Sequence, residues 1–369
     1  MTSQKPTILH VIDTTGPGGA ETVFLQLAAA CNQNGYHSIA VIRGPGWVEE
    51  QLKKLDVEYR IFDCKGSFNV RFLWSVIQLV RANNVQVIQS HLLGSNVYSS
   101  LAGLLTRRRV IVTFHGHVDI SPTERFRTAK LLLVRMGANR IVCVTAALMK
   151  VIMEMGDSRL LKKSIVIANG VDITQLVVLP IRQLPNGKDN PLIFGMLGNI
   201  RTAKNYFLAV DFAELLVVAG YNISLKIAGD DSKKLASDLK LYVKNKRLDH
   251  IIEFYGFIDD VPRFFNSCDF FVMTSSTEGH PLALTQALAA GLPVVTTPSG
   301  VEEIIENGVT GFISSNHDKQ KLYNLVKSCI DLDDEKMKEV QLAGRNLAVS
   351  RYSLSAMCAE YFNIYATTK

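Results

Sequence analysis

Short runs rich in valine and isoleucine alternate along the 369-residue chain with segments of helical period, and this alternation restricts the fold more than any other feature. Parallel strands joined by crossover helices produce that pattern, because each strand is then covered on both faces. In the first half the runs predict strands near Thr7–Ile12, Ser38–Arg43, Tyr59–Phe62, Val85–Gln89, Val110–Phe114, Arg140–Val144 and Ser164–Ile167. Residues 183–190, with Pro185, Asn186 and Gly187, read as a linker. Beyond it the alternation restarts at Pro191–Leu197 and continues through Ser224–Ala228, Ile251–Tyr255, Phe270–Met273, Pro293–Thr296 and Gly311–Ile313. Two doubly wound α/β domains are expected, at 1–183 and 190–352. The apolar period of residues 353–369 predicts a last helix that is free to pack back on the first domain.

Composition narrows the class further. With 47% hydrophobic and 20% charged residues the chain is neither disordered nor collagen-like. Its longest apolar runs, such as that around Leu131–Val134, fall far short of the ~18 residues of a membrane-spanning helix. Ile8, Leu9, Val11 and Ile12 before Asp13 are too few for the core of a signal peptide and read as the first strand. The six cysteines are scattered, with no CxxC pair, which points to a reducing, cytoplasmic setting. The net charge of +6 is unevenly spread: residues 1–185 carry 21 Lys and Arg against 12 Asp and Glu, the remainder 19 against 22. A basic first half argues for an anionic partner there, a phosphorylated acceptor or the inner face of a membrane, and not for a nucleic-acid binder. Arg107, Arg108, Arg109, Arg125, Arg127, Lys130 and Arg135 fit either such a peripheral contact or a solvated helix face.

Open parallel sheets bind ligands beyond the carboxyl ends of their strands, so residues just after a strand carry the functional information. Four places qualify. After the first strand, Gly16-Pro17-Gly18-Gly19-Ala20-Glu21 leads into a helix, and its glycines allow close approach of a phosphate or sugar. The spacing is neither a dinucleotide fingerprint nor a P-loop. His115 follows the Val110–Phe114 strand, and His91 stands in the equivalent place after its neighbour; a neutral imidazole there can bond a sugar hydroxyl. After the first strand of the second domain come Gly198, Asn199, Arg201 and Lys204, where a guanidinium and an ammonium can clamp a diphosphate. The fourth is the stretch Thr274–Pro281, in which Glu278, Gly279 and His280 precede a helix opened by Pro281 and Leu282 and ended near Gly291; Gln286 lies on that helix. Tight structural turns and a capping Glu278 are the plain alternatives.

Taken in order, these segments resemble the family-4 retaining glycosyltransferases of the GT-B fold over nearly the whole chain. The resemblance rests on the Gly16–Glu21 loop, on Thr113-Phe114-His115-Gly116, and on Ile167-Ala168-Asn169-Gly170-Val171-Asp172. It continues through Ala228-Gly229-Asp230, Phe254-Tyr255-Gly256 and Asn266-Ser267-Cys268-Asp269. It implies two Rossmann-like domains and transfer of a sugar, with retention, from a nucleotide sugar, chiefly a uridine diphosphate sugar. The acceptor would be a glycan or lipid-linked molecule in surface polysaccharide or lipopolysaccharide assembly. It implies no cofactor and no metal, and Asp230-Asp231 and Asp259-Asp260 are adjacent pairs without the spacing of a metal-binding DxD. The implied roles are catalytic for His115, Glu278, Arg201 and Lys204. The implied donor-binding residues are Gly18, Gly19, Asn199, Gly279, His280, Pro281, Leu282 and Gln286. Two positions depart from the pattern: Gln286 stands where the family has its second glutamate, on the nucleotide ribose, and Asn199 where it commonly has arginine. A catalytically degenerate, sugar-nucleotide-binding relative is the alternative these departures raise.

Overall fold

The computed structural model describes residues 6–64, 68–121, 123–155, 162–185, 187–232 and 234–366. Its contacts divide the chain into two compact units, one of Met1–Gly170 with Met357–Lys369, the other of Val171–Ala356.

The first unit is built on β1 Thr7–Ile12, β2 His37–Ile42, β3 Glu58–Ile61, β4 Val87–His91, β5 Arg109–Phe114, β6 Arg140–Cys143 and β7 Ser164–Val166. All neighbours run parallel, in the order β3-β2-β1-β4-β5-β6-β7. The crossovers are α1 Gly19–Gln33, α2 Trp47–Lys54, α3 Val70–Ala82, α4 Leu93–Thr106, α5 Arg127–Gly137 and α6 Ala146–Met155. Strands read as continuous apolar runs because both faces are covered: Leu9, Val11, Ile88, Val110 and Val112 share one core with Val76 and Val80 of α3 and Ala102 of α4. Ile12, Ala40 and Ile42 instead share a core with Phe24 and Ala28 of α1.

The second unit repeats the plan with β8 Leu192–Leu197, β9 Ile223–Ala228, β10 Ile252–Gly256, β11 Phe270–Met273, β12 Val294–Thr296 and β13 Phe312–Ile313. Their order is β10-β9-β8-β11-β12-β13, again parallel. The helices are α7 Tyr206–Val218, α8 Lys234–Asn245, α9 Val261–Asn266, α10 Leu282–Ala289, α11 Lys319–Ile330 and α12 Asp334–Arg351. Phe194 at the centre of β8 stacks on Phe270 of β11 at 5.3 Å and meets Phe212 of α7 edge-on at 5.5 Å. Each sheet reverses its strand order once, between β1 and β4 and between β8 and β11, and such a reversal opens a crevice at the carboxyl ends of the strands.

The division of the chain differs from the expected linker. The units part at Gly170 and Val171, and residues 171–182 already belong to the second unit. Long-range bonds explain this. Arg345 of α12 donates to the carbonyls of Leu179, Ala289 and Ala290, and Val171 exchanges backbone bonds with Tyr352 and Leu354. Asn186 of the expected linker lies outside the described residues, as do residues 367–369 of the expected last helix. That helix, α13 Leu354–Ala366, joins the first unit from Met357 onward. There Tyr361 and Tyr365 are buried and Phe362 stacks on Tyr36 at 5.2 Å. The Arg109 guanidinium donates to the carbonyls of Ile364 and Tyr365 at 2.7 and 3.0 Å, so this arginine caps α13 and is removed from the expected basic surface.

Candidate functional site

In the first unit the expected residues cluster where β1, β4 and β5 end. Gly18 is the extended N-cap of α1, with no side-chain cap, and its carbonyl accepts from both the N–H and the hydroxyl of Thr22 at 2.9 Å. The Glu21 carboxylate folds back over Gly18 into the space a β-carbon would occupy. Gly19 opens the helix. His115 ends the β5 crossing, and Asp119 fixes its backbone: Oδ2 of Asp119 accepts the N–H of His115 at 2.6 Å and that of Gly116 at 3.3 Å. Burial holds the His115 imidazole neutral, down to about 3, with Asn169 acting in the opposite sense. Burial likewise raises Asp119 to about 6, against the two backbone donors. Asp119 was not visible as a site residue in the sequence; an aspartate shortly after a glycine turn is the only signal it leaves.

In the second unit two loops are sewn together. The 201–205 segment after β8 and the segment after β11 share four bonds: Thr274 Oγ1 donates to the carbonyls of Lys204 and Asn205, and the N–H and hydroxyl of Ser276 donate to that of Ala203. This stitching brings Lys204 Nζ to 2.6 Å from Glu278 Oε1, a half-sheltered ion pair with the two side chains 21% and 13% exposed. Tyr206 donates its hydroxyl to the Gly198 carbonyl at 2.5 Å, and burial followed by the charge of Glu278 raises its pKa. Gly198 (φ 152°) and Gly229 (φ 148°) pack so closely that a β-carbon on Gly229 would overlap the Gly198 carbonyl.

The other expected residues divide. Arg201 is exposed and forms no ion pair among the described residues. Asn199 spends its amide oxygen on the backbone N–H of Asp230 at 3.1 Å, a bond that ties the β8 loop to the β9 loop. Gly279 follows Glu278 in the loop, and His280 is buried edge-on against Tyr352 at 4.8 Å, where burial lowers it to about 4. Pro281 is the N-cap of α10 with no side-chain cap, whereas α11 and α12 are capped by Asp318 and Asp333. The first-turn N–H groups of α10 therefore have no side-chain cap. Leu282 and Gln286 share the partly exposed face of α10 while Leu284, Thr285, Ala287 and Leu288 face the core. Among the described residues no group of three or more His, Cys, Asp or Glu is placed to hold a metal ion.

Two parallel sheets with this strand order, each carrying polar residues at its switch point, define a pair of Rossmann-like ligand-binding domains. Comparison with known proteins gives the family. Residues 17–175 match the model of Glycosyltransferase Family 4 and residues 180–346 that of Glycosyl transferases group 1, and the chain belongs to this glycosyltransferase family. The lipopolysaccharide core biosynthesis glycosyltransferase LpsE of Rhizobium meliloti is 23% identical over 95% of this chain and 96% of its own length. The UDP-Gal:alpha-D-GlcNAc-diphosphoundecaprenol alpha-1,3-galactosyltransferase of Escherichia coli is 23% identical over 78% of this chain and 76% of its own. The amylovoran biosynthesis glycosyltransferase AmsK of Erwinia amylovora is 27% identical, but the match spans 42% of this chain and 40% of AmsK. Among solved structures, HepE of Anabaena in complex with UDP and glucose superposes with a TM-score of 0.84 at 20% identity, over 98% of this chain and all of that one.

Proposed function

We propose that the chain transfers a sugar, with retention of configuration and without a metal, from a uridine diphosphate sugar to a glycan or lipid-linked acceptor of a surface polysaccharide or lipopolysaccharide. The Lys204–Glu278 pair in front of the uncapped α10 carries the reading. A cation and a bundle of free N–H groups answer the negative charge that grows on a leaving diphosphate, and a carboxylate beside them answers sugar hydroxyls. Arg201 is exposed at the same loop and adds a guanidinium to the phosphates. Gln286 offers an amide oxygen to the ribose, and His115 a neutral imidazole to the sugar. The leaving phosphate takes the acceptor's proton as the new glycosidic bond forms, so no separate base is assigned. The names of LpsE and of the Escherichia coli galactosyltransferase support the pathway and the UDP-sugar.

Calorimetry with UDP, GDP and ADP tests the site. UDP is expected to bind, and Lys204→Ala to weaken it about tenfold to a hundredfold, the loss of one charge-assisted contact. Absence of binding by all three would end the reading. Gln286 favours the degenerate alternative, which predicts nucleotide binding with no donor consumed.

A peripheral contact with an anionic membrane is also part of the proposal. Among the described residues no helix is long and apolar enough to cross a membrane. The packed pair α4 and α5 nevertheless exposes Leu104, Leu105, Phe126, Leu132 and Met136 beside Arg107 and Arg125. Exposed basic and apolar side chains suit a lipid surface, with about 1 kcal/mol from each cation. Failure to float with anionic vesicles at low salt would remove this part.

A further inference from the structure

We propose that His91 is a positioning residue that determines which nitrogen of His115 carries the proton. His91 is the last residue of β4 and fully buried, and its Nδ1 lies 2.9 Å from Nε2 of His115 with the rings stacked at 5.2 Å and 20°. Phe24 closes the other side edge-on at 5.7 Å. Two neutral imidazoles in such contact must divide the roles, one nitrogen donating and the other accepting.

The division follows from Gln89, two residues back on the same strand face. The Tyr365 hydroxyl donates to Gln89 Oε1 at 3.1 Å, while Gln89 Nε2 donates to Thr113 Oγ1 at 3.0 Å and faces the Ser90 carbonyl at 3.4 Å. A carbonyl accepts only, which favours the amide nitrogen on that side. The same NH2 faces Nε2 of His91 at 3.5 Å. An NH2 group accepts nothing, so His91 Nε2 is bare and its proton sits on Nδ1. From there it is donated to His115 Nε2, which leaves the His115 proton on Nδ1. That atom is buried, and the Asn169 side chain also hydrogen-bonds the His115 ring. The chain Tyr365–Gln89–His91–His115 therefore starts on α13 and ends in the Nδ1–H of His115.

Backbone strain marks the same place. Leu92, directly after His91, has φ 72° and ψ 152°, a conformation rare for any residue with a side chain. Its N–H and the Asn96 amide both donate to the Thr113 carbonyl, at 3.2 and 3.1 Å, and hold the turn. Strain of this kind persists where the surrounding structure fixes a functional side chain. Burial keeps both imidazoles neutral, well below their ordinary range, so the division of roles persists across physiological pH.

The catalytic consequence rests on the reading of His115 as the donor-sugar histidine; the proton position does not. Long-range 1H–15N spectra of the free, histidine-labelled protein test the latter, with His115→Gln assigning the signals. His115 is expected as the Nδ1–H tautomer, and Gln89→Met to give a mixture of both. A wild-type His115 protonated on Nε2, or a Gln89→Met spectrum identical to wild type, would overturn the proposal even if transfer is never reconstituted. Transfer assays test the consequence. An asparagine amide N–H occupies nearly the place of a histidine Nδ1–H, so His91→Asn should retain kcat within a few-fold. His91→Leu, which fills the same space without a donor, should lose kcat about tenfold to a hundredfold at unchanged donor KM. Leucine performing as well as asparagine would reduce His91 to core packing.

Discussion

Lys204 and Glu278 neutralise one another across 2.6 Å, so a ligand that uses either group must share or displace that bond. Glu278→Gln separates the two roles. It frees the ammonium for a diphosphate while weakening the hold on sugar hydroxyls. A half-sheltered ion pair contributes about 1 kcal/mol, which sets the scale. UDP is expected to bind the variant as tightly as wild type or up to about fivefold more tightly, while turnover of the sugar nucleotide falls about a hundredfold. Parallel calorimetry and donor-consumption assays check both halves, and weaker UDP binding would show that Glu278 supports Lys204 and does not compete for it. At this scale the sequence was informative where a residue's role depends on its neighbours in the chain. Glu278 before a proline-opened helix was legible; the contact of His115 with His91, 24 positions apart, was not, because only the pairing of β4 with β5 brings them together. Asn199 was legible as a residue after a strand, but the bond of its amide oxygen to the Asp230 N–H was not, because only the pairing of β8 with β9 brings the two loops together.

Elements were the most legible level, since thirteen apolar runs with helical segments between them correspond to the thirteen strands described. Ends and allegiances were less so. Nothing in residues 171–182 themselves reveals that they are fastened to the second unit, because the fastening comes from Arg345, more than 160 positions on. This arginine is held among three carbonyls, and burial lowers its pKa. Gly291, at φ 74°, completes the joint, for a β-carbon there would meet Ile181 and the Arg345 guanidinium. Arg345→Ala leaves carbonyls of Leu179 and of the α10 C-terminus without their donor and is expected to cost about 2–4 kcal/mol. A urea midpoint shift with an unchanged m-value would register it, and α10, which carries Gln286, should show faster hydrogen exchange. Arg345→Lys should recover only part of the loss, since an ammonium lacks the planar fork.

At the scale of the whole molecule, buried imidazoles set the response to acid. His10, His91, His115 and His280 are all held neutral by burial: His10 and His115 down to about 3, His280 to about 4, His91 well below its ordinary value. A histidine whose folded pKa is lowered binds fewer protons folded than unfolded between that pKa and about 6.5. Its full contribution to stability is therefore present above pH 6.5 and is lost as pH falls toward 3. Asp119, raised to about 6, acts in the opposite sense: the folded state binds its proton more readily, which favours folding as pH falls from 6 to about 4. Burial raises Asp13 and Asp269 in the same sense, but three raised carboxyls offset only part of four lowered imidazoles, so the chain should lose stability below pH 6. His10 offers a test, because its ring meets the Phe24 edge at 6.3 Å and the Ser38 hydroxyl at 3.4 Å, and its charge is the smallest of the three causes that lower His91. His10→Leu should match wild type near pH 7 and exceed it by about 2 kcal/mol at pH 5, the protonation cost of one such histidine at that pH. Urea unfolding at the two pH values measures this directly. Equal losses in the two proteins would mean that His10 protonates without unfolding the sheet, and that the acid limb belongs to the other three imidazoles.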